Sequence, residues 1–408
     1  MQNLIVNLNK ERLNHILTLY DIPLSELVIK LNKDNLKLKK PITKEDIISS
    51  ENKIKLSLLK KIDKILGKGL TYYIDSAPPV KTNETSIFFR KNQFNTELTL
   101  ESKKVVNFFE ELKFTIQNLI SNVDVKLNRK LKKYSLSESP ENVAQEIRSI
   151  FNGIYDQLIS SKEIQKETSD RQFLKNLARV IEEFNIFIFE HIDHPAKKEK
   201  VNFNGFFVRP NMIILSGQKY YKREIFTLIH EFAHYLLDDE EIDQNVGEDI
   251  DKKTLIETWC NDFSYFFLIG CFKDEMDKLQ NFSKENNFHE ELLEKISKRT
   301  KLSTLSLYTH LKIKNRISQR DYDSISKKIE QAIQKAELTE KNKQDAKKFL
   351  AQEKGEEYSP IVPLRKPLHS KLFIDVLKMN YYNGDIDKNI ICKFLKIKED
   401  KIGEVLYV

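Results

Sequence analysis

The sequence predicts a mainly α (α+β) chain with one small sheet set among helices. Three observations lead there: apolar residues recur at helical spacing along most of the 408 residues, β-branched and aromatic runs cluster between Asn185 and Leu215, and there are only 10 glycines. With 40% hydrophobic and 32% charged residues, the composition is that of a folded globular protein, and the length suits two or three domains. No Gly-rich phosphate loop follows a strand, which argues against P-loop and Rossmann chemistry and against a nucleotide cofactor. The three cysteines, Cys260, Cys271 and Cys392, form neither a CxxC nor a disulfide framework, so a reducing, cytoplasmic location is expected. No apolar run reaches 18 residues, so no membrane partner is expected. Of the net charge of +7, residues 1–100 carry +6 (17 basic, 11 acidic), so a polyanion would meet the N-terminal region.

Residues 1–80 read as a compact helical domain: Lys10 to Tyr20, Pro23 to about Asn32, Thr43 to Ile48 and Leu56 to Leu66, closed by Gly67-Lys-Gly69. Residues 81–138 read as a linker and a long connecting helix, Ser102 to Leu131, on the heptad-like spacing of Val105, Phe108, Phe109, Leu112, Phe114, Ile116 and Leu119. Residues 139–285 form the expected core. Ser139-Pro140-Glu141 combines a cap, a first-turn proline and an acid, and a second helix starts near Ser169. Asn185 to Glu190 is a strand, and Gly205 to Val208 with Met212 to Leu215 is a hairpin, giving a small antiparallel or mixed sheet. Helices then cover Lys222 to Leu237 and Leu255 to Phe267. Residues 286–325 read as a helical, winged-helix-like extension with helices Leu292 to Thr300, Ser303 to Leu311 and Ser318 to Ile325. Residues 326–408 read as a charged helix, Lys327 to Glu356, and a helical tail.

His230-Glu231-Phe232-Ala233-His234 is an HExxH on a predicted helix. The i, i+4 spacing puts both imidazoles on one face, within reach of one Zn²⁺. An open catalytic site needs a third protein ligand, and the next helix offers Glu257; Cys260, one turn on, is the rival, while Glu240, Glu241 and Glu248 fit less well. In such a site Glu231 is the general base. Asp238 is either an acceptor for the free N–H of His234 or a solvated acid at the helix end, and Asn261 lies on the Glu257 face of its helix. Tyr220, Tyr221 and Tyr235 are nearby in sequence. His191 and His194 read as a surface loop. The pair of strands with Phe206, Phe207, Val208, Ile213 and Ile214 is the candidate cleft edge on which an extended peptide adds as a strand.

These motifs resemble the ImmA/IrrE family of zinc metallopeptidases. The likeness rests on the strand from Asn185, the hairpin, Phe226-Thr-Leu-Ile-His-Glu-Phe-Ala-His-Tyr-Leu-Leu, and Glu257-Thr-Trp-Cys-Asn-Asp-Phe-Ser-Tyr-Phe-Phe-Leu, which is similar to the family's downstream E-x-x-A-N-x-F-A helix. Cys260 and Ser264 stand where the pattern has small residues. The resemblance implies a zincin-like metallopeptidase core, one zinc held by His230, His234 and Glu257, and site-specific cleavage of a partner repressor that relieves repression in a stress, mobile-element or defence response. The N-terminal region resembles the degenerate repressor-type helix-turn-helix of longer members, with Thr43 to Ser50 in the place of the reading helix and Ile87-Phe-Phe-Arg90 as the joint. Contact with DNA through that region is the alternative expectation, in a regulator or toxin–antitoxin component with a structural or vestigial zinc; Glu45 and Asp46 in the reading helix favour protein docking as much as DNA.

Overall fold

The computed structural model describes residues 4–33, 40–49, 51–79, 98–123, 125–194, 197, 199–238, 249–280, 282–283, 286–353 and 365–406. The joint at Ile87 to Arg90 and the acidic residues Glu240, Glu241 and Glu248 lie outside them. The chain divides into two compact units, Met1–Asn118 with Asp193–Phe203, and Leu119–Ile192 with Asn204–Val408. It is mainly helical with two small sheets. No helix among the described residues is long and apolar enough to cross a membrane.

In the first unit, helices α1 (Lys10–Leu19), α2 (Leu24–Lys33), α3 (Lys44–Ile47), α4 (Leu56–Leu66) and α5 (Leu70–Ile74) close around Leu13, Ile16, Leu27, Leu59, Ile62 and Tyr73, all fully buried. The Asn9 side chain caps α1 by accepting from the Arg12 N–H, and α4 stops at Gly67, which takes the left-handed conformation at φ 75°. Two strands absent from the sequence reading, β1 (Ile5–Asn7) and β2 (Lys53–Lys55), pair antiparallel with Val6 opposite Ile54. Three residues each are too few for alternation to show. The expected reading helix is one turn: Thr43 and Asp46 make a capping box, and Ile48 leaves helical geometry. Helix α6 (Leu100–Asn122) begins here. Its first turn holds the 193–203 segment, with Ser102 donating to Asn202 Oδ1 at 2.7 Å and the Asn202 N–H donating back at 2.8 Å. The expected helix to Leu131 ends at Asn122, because the apolar spacing runs out at Leu119 and β-branched residues follow.

The second unit is built on α7 (Pro140–Ser160), capped by Ser139, and α8 (Asp170–Glu182), capped by Ser169. Strands β3 (Phe187–His191), β4 (Gly205–Val208) and β5 (Met212–Ser216) follow. The sheet order is β3-β5-β4, with β3 parallel and β4 antiparallel to β5, and Phe187 and Val208 both opposite Met212. On one face Ile188, Phe207, Ile213 and Leu215 join the core of α7, α8, α9 (Tyr221–Leu237) and α10 (Asp249–Ile269). Phe151 meets Phe184, Phe232 and Phe267 at centroid distances of 5.5, 5.6 and 5.0 Å at the centre of that core. On the other face the Phe189 ring meets Phe373 edge-on at 5.5 Å.

Beyond α10 come α11 (Lys273–Lys278), α12 (Glu290–Thr300), α13 (Thr304–Ile313) and α14 (Gln319–Glu353), then α15 (Lys371–Asn383), α16 (Lys388–Leu395) and α17 (Gly403–Leu406). Of the two helices expected over Ser318 to Glu356, the described part, Gln319–Glu353, is one helix, since neither glycine nor proline interrupts the change from a core-facing to a charged surface near Ile325; residues 354–356 lie outside the described residues. Before α15 the chain runs along β3, where the Glu190 N–H donates to the Leu368 carbonyl at 3.0 Å.

Candidate metal centre

Helix α9 owes its position to its apolar side: Ile225, Leu228, Ile229, Phe232, Ala233 and Leu236 are fully buried against α7, α8, α10 and the sheet. That packing leaves the face of His230 and His234 toward α10. The imidazoles stand one turn apart with their Nε2 atoms 3.2 Å from each other. From α10, Glu257 brings Oε2 to 3.3 Å from His230 Nε2 and Oε1 to 3.5 Å from His234 Nε2. Among the described residues this is the group of three whose ligand atoms converge, all within 4.8 Å.

These separations can be compared with the geometry of a bound ion. Ligands about 2.05 Å from a tetrahedral cation are about 3.3 Å apart, the edge being 1.63 times the bond length. The His230–His234 separation of 3.2 Å matches one such edge; the 3.3 and 3.5 Å contacts end on different oxygens of Glu257, and with one ligand atom taken from each residue all three lie within 4.8 Å, close enough to gather on one ion. Two imidazoles and one carboxylate are the donor set of a divalent transition metal. The two histidine side chains are 15% and 11% exposed and that of Glu257 37%, so solvent reaches the group from the α10 side. His230 Nδ1 is buried without a hydrogen-bond partner among the described residues.

Glu231 is 8% exposed and lies beside the start of β4. The main chain passes there so closely that a Cβ on Gly205 would stand 3.3 Å from Glu231 Cγ and 2.6 Å from Thr227 Cγ2. Sequence reasoning passed over Gly205, although an isolated glycine opening a strand signals such an approach.

Other residues singled out from the sequence are placed elsewhere. Cys260 is fully buried, with its carbonyl accepting from the Ser264 hydroxyl, and is not in the converging group. Asp238 ends α9 in the left-handed conformation, and its carboxylate meets Arg209 at 3.3 Å and Lys133 at 3.6 Å; those contacts serve the helix end. Asn261 is exposed, one turn beyond Glu257. Phe206, Phe207, Val208, Ile213 and Ile214 are all at most 8% exposed, and β5 is the central strand, so Ile213 and Ile214 pack inside the sheet while β4 alone of the pair is at an edge. The Tyr220 hydroxyl donates to Glu337, Tyr221 lies under the Arg365 guanidinium, and Tyr235 is buried under Arg129. His191 ends β3, and His194 belongs to the first unit.

Long-range arginines are a second group that the sequence did not reveal. Arg171 and Arg365 balance Glu190 and Glu224, whose side chains are 0% exposed, at the first turn of α9. Burial pushes the Glu224 carboxyl above the ordinary carboxylate range, and Arg365 pulls against it.

Residues 181–309 match the family model described as Peptidase_M78, IrrE N-terminal-like domain. No curated protein and no solved structure matches the chain.

Proposed function

The chain carries a metallopeptidase domain of the ImmA/IrrE family at residues 181–309, and from that premise we propose that it is a zinc-dependent, site-specific endopeptidase acting on a protein partner, a DNA-binding repressor. The observation that carries the reading is the convergence of one ligand atom each from His230, His234 and Glu257 to within 4.8 Å of one another. His₂Glu with an open fourth position is a hydrolytic zinc arrangement.

When bound, zinc supplies Lewis acidity, polarising the scissile carbonyl and bringing the pKa of water toward about 7. The other steps belong to the chain. His230 and His234 present Nε2 as neutral donors, and Glu257 adds the carboxylate that completes the set. The Glu231 carboxylate takes the proton of the attacking water and returns it to the leaving amide nitrogen as that bond breaks. The outer edge of β4, beside Glu231, offers backbone N–H and C=O groups to an extended substrate segment, which would align its peptide bonds with the base. Cleavage of a repressor would relieve repression in a stress, mobile-element or defence response.

The test uses the full chain, loaded with one equivalent of Zn²⁺, incubated with total cellular protein, with new N-termini sequenced. Glu231→Gln should bind zinc as the parent does and generate none of the parent's new N-termini; the same termini from both proteins would overturn the assignment. The charge of residues 1–100 supports a second reading, a DNA-binding regulator or toxin–antitoxin component with a structural zinc. It would show as operator binding that weakens steeply with salt.

A further inference from the structure

Both ends of α9 are finished by residues outside the 181–309 match. At its start Glu224 pairs with Arg365. At its end, the last four carbonyls have no i+4 donor within the helix; the Asp238 N–H turns back to the Tyr235 carbonyl at 3.2 Å, and the other bonds come from elsewhere. Arg129 does much of this: Nη2 donates to the Tyr235 carbonyl at 2.7 Å and the Leu236 carbonyl at 3.1 Å. Its Nε donates to the Leu131 carbonyl at 2.9 Å, and the guanidinium lies 4.1 Å from the Tyr235 ring centroid. The Tyr134 N–H adds a bond to the Leu236 carbonyl at 3.0 Å, and Arg209 holds the Asp238 carbonyl at 2.7 Å.

The two imidazoles do not depend equally on this cap. His230 sits mid-helix, followed by a full turn of hydrogen-bonded backbone. His234 is within the last four residues of α9, and the next residue is the one Arg129 holds. A helix end frays unless its orphan carbonyls are met, and a metal ligand tolerates displacements of only about 0.2 Å. A planar guanidinium that bonds two successive carbonyls while stacked on a ring fixes that turn in a way a lysine ammonium cannot. Its positive charge also opposes the partial negative charge of the helix end.

We propose that Arg129 is a positioning residue of the metal site: by holding the last turn of α9 it fixes His234 and so sets the affinity for the ion. The proposal rests on the zinc-peptidase reading above. It makes the segment before α7 a working part of a site whose ligands all lie in the matched region.

Zinc affinity of the full chain is measured by competition with a chromophoric chelator, for the parent, Arg129→Ala and Ser139→Ala. The last variant removes the N-cap of α7 and costs about 1 kcal/mol of stability away from the site. Arg129→Ala should bind zinc about tenfold more weakly, the low end of what losing an outer support of a metal ligand costs. Amide exchange over residues 235–238 should quicken, and millimolar guanidinium should restore much of the affinity by occupying the vacated place. Ser139→Ala should bind as the parent does. Parental affinity in Arg129→Ala with fast exchange at 235–238, or an equal loss in Ser139→Ala, would overturn the proposal. A parent that binds no zinc would instead overturn the reading beneath it.

Discussion

Replacing Arg365 by methionine should destabilise the protein by about 3–5 kcal/mol at pH 8 and by much less at pH 5. Glu190 and Glu224 have no exposed side-chain surface, and two guanidinium groups balance them. Arg171 bonds Glu190 at 2.7 Å but stands 3.7 Å from Glu224, so Arg365 is the main partner of the latter, at 2.5 and 2.6 Å. Without it, one carboxylate remains buried and uncompensated. Burial already raises the Glu224 carboxyl, with Arg365 acting against the rise, so its loss should let the folded protein keep a proton that an unfolded glutamate releases near pH 4.3, the usual value being about that. A carboxyl raised in the folded state contributes stability below its unfolded pKa and loses it as pH rises through the folded value. The deficit of the variant should therefore grow with pH. Urea midpoints at both pH values for the parent, Arg365→Met and the double variant Glu224→Gln with Arg365→Met measure this; the double variant should recover half or more of the loss. Equal deficits at pH 5 and 8, with no recovery in the double variant, would refute the charge balance.

Glu257→Ala should lose bound zinc while Cys260→Ala keeps it, at a cost of about 1 kcal/mol for the small cavity; elemental analysis decides, and the reverse pattern would move the third ligand to the thiol. Gly205→Ala should cost about 1–3 kcal/mol in thermal unfolding, because the new methyl meets Thr227 Cγ2 at 2.6 Å and the Ile214 carbonyl at 3.0 Å, and Thr227→Ser should recover part of it. His310 is pushed down to about 4 by burial, with Lys314, Arg316 and Lys273 adding to the shift and Asp277 opposing it, and its ring stacks on Tyr265 at 3.6 Å. The unfolded chain binds a proton there that the folded one refuses, so stability is lost as pH falls from 6.5 toward 4, by about 1–2 kcal/mol after discounting for solvent screening; His310→Gln should flatten that slope in chemical unfolding.

The metal group was legible because its information is local. HExxH puts two imidazoles on one face by helical spacing alone, whereas Glu257 stands ahead of Cys260 on the next helix only because two histidines and a glutamate are a common hydrolytic set. Capped helices such as that opening at Ser139 were legible for the same reason, and the hairpin was marked by its β-branched and aromatic runs. What escaped depends on distant pairing. Arg129 lies 106 residues from the carbonyl it holds and Arg365 141 residues from Glu224, and nothing around either arginine differs from a surface lysine or arginine run. The end of α6 is a different case: its apolar spacing runs out at Leu119, a local signal, while the helix was expected to continue to Leu131. The burial of Phe206 and Ile214 also escaped, because alternation cannot tell a strand with one covered face from one covered on both.

The long reach from Glu224 to Arg365 sets a timetable for synthesis. A ribosome adding roughly 5–20 residues per second passes Glu224 roughly 7–28 s before it reaches residue 365, 141 positions later. During that interval the first turn of the helix carries a carboxylate that cannot be buried at full stability. The charge balance at the start of the metal helix is thus completed only when most of the chain has been made.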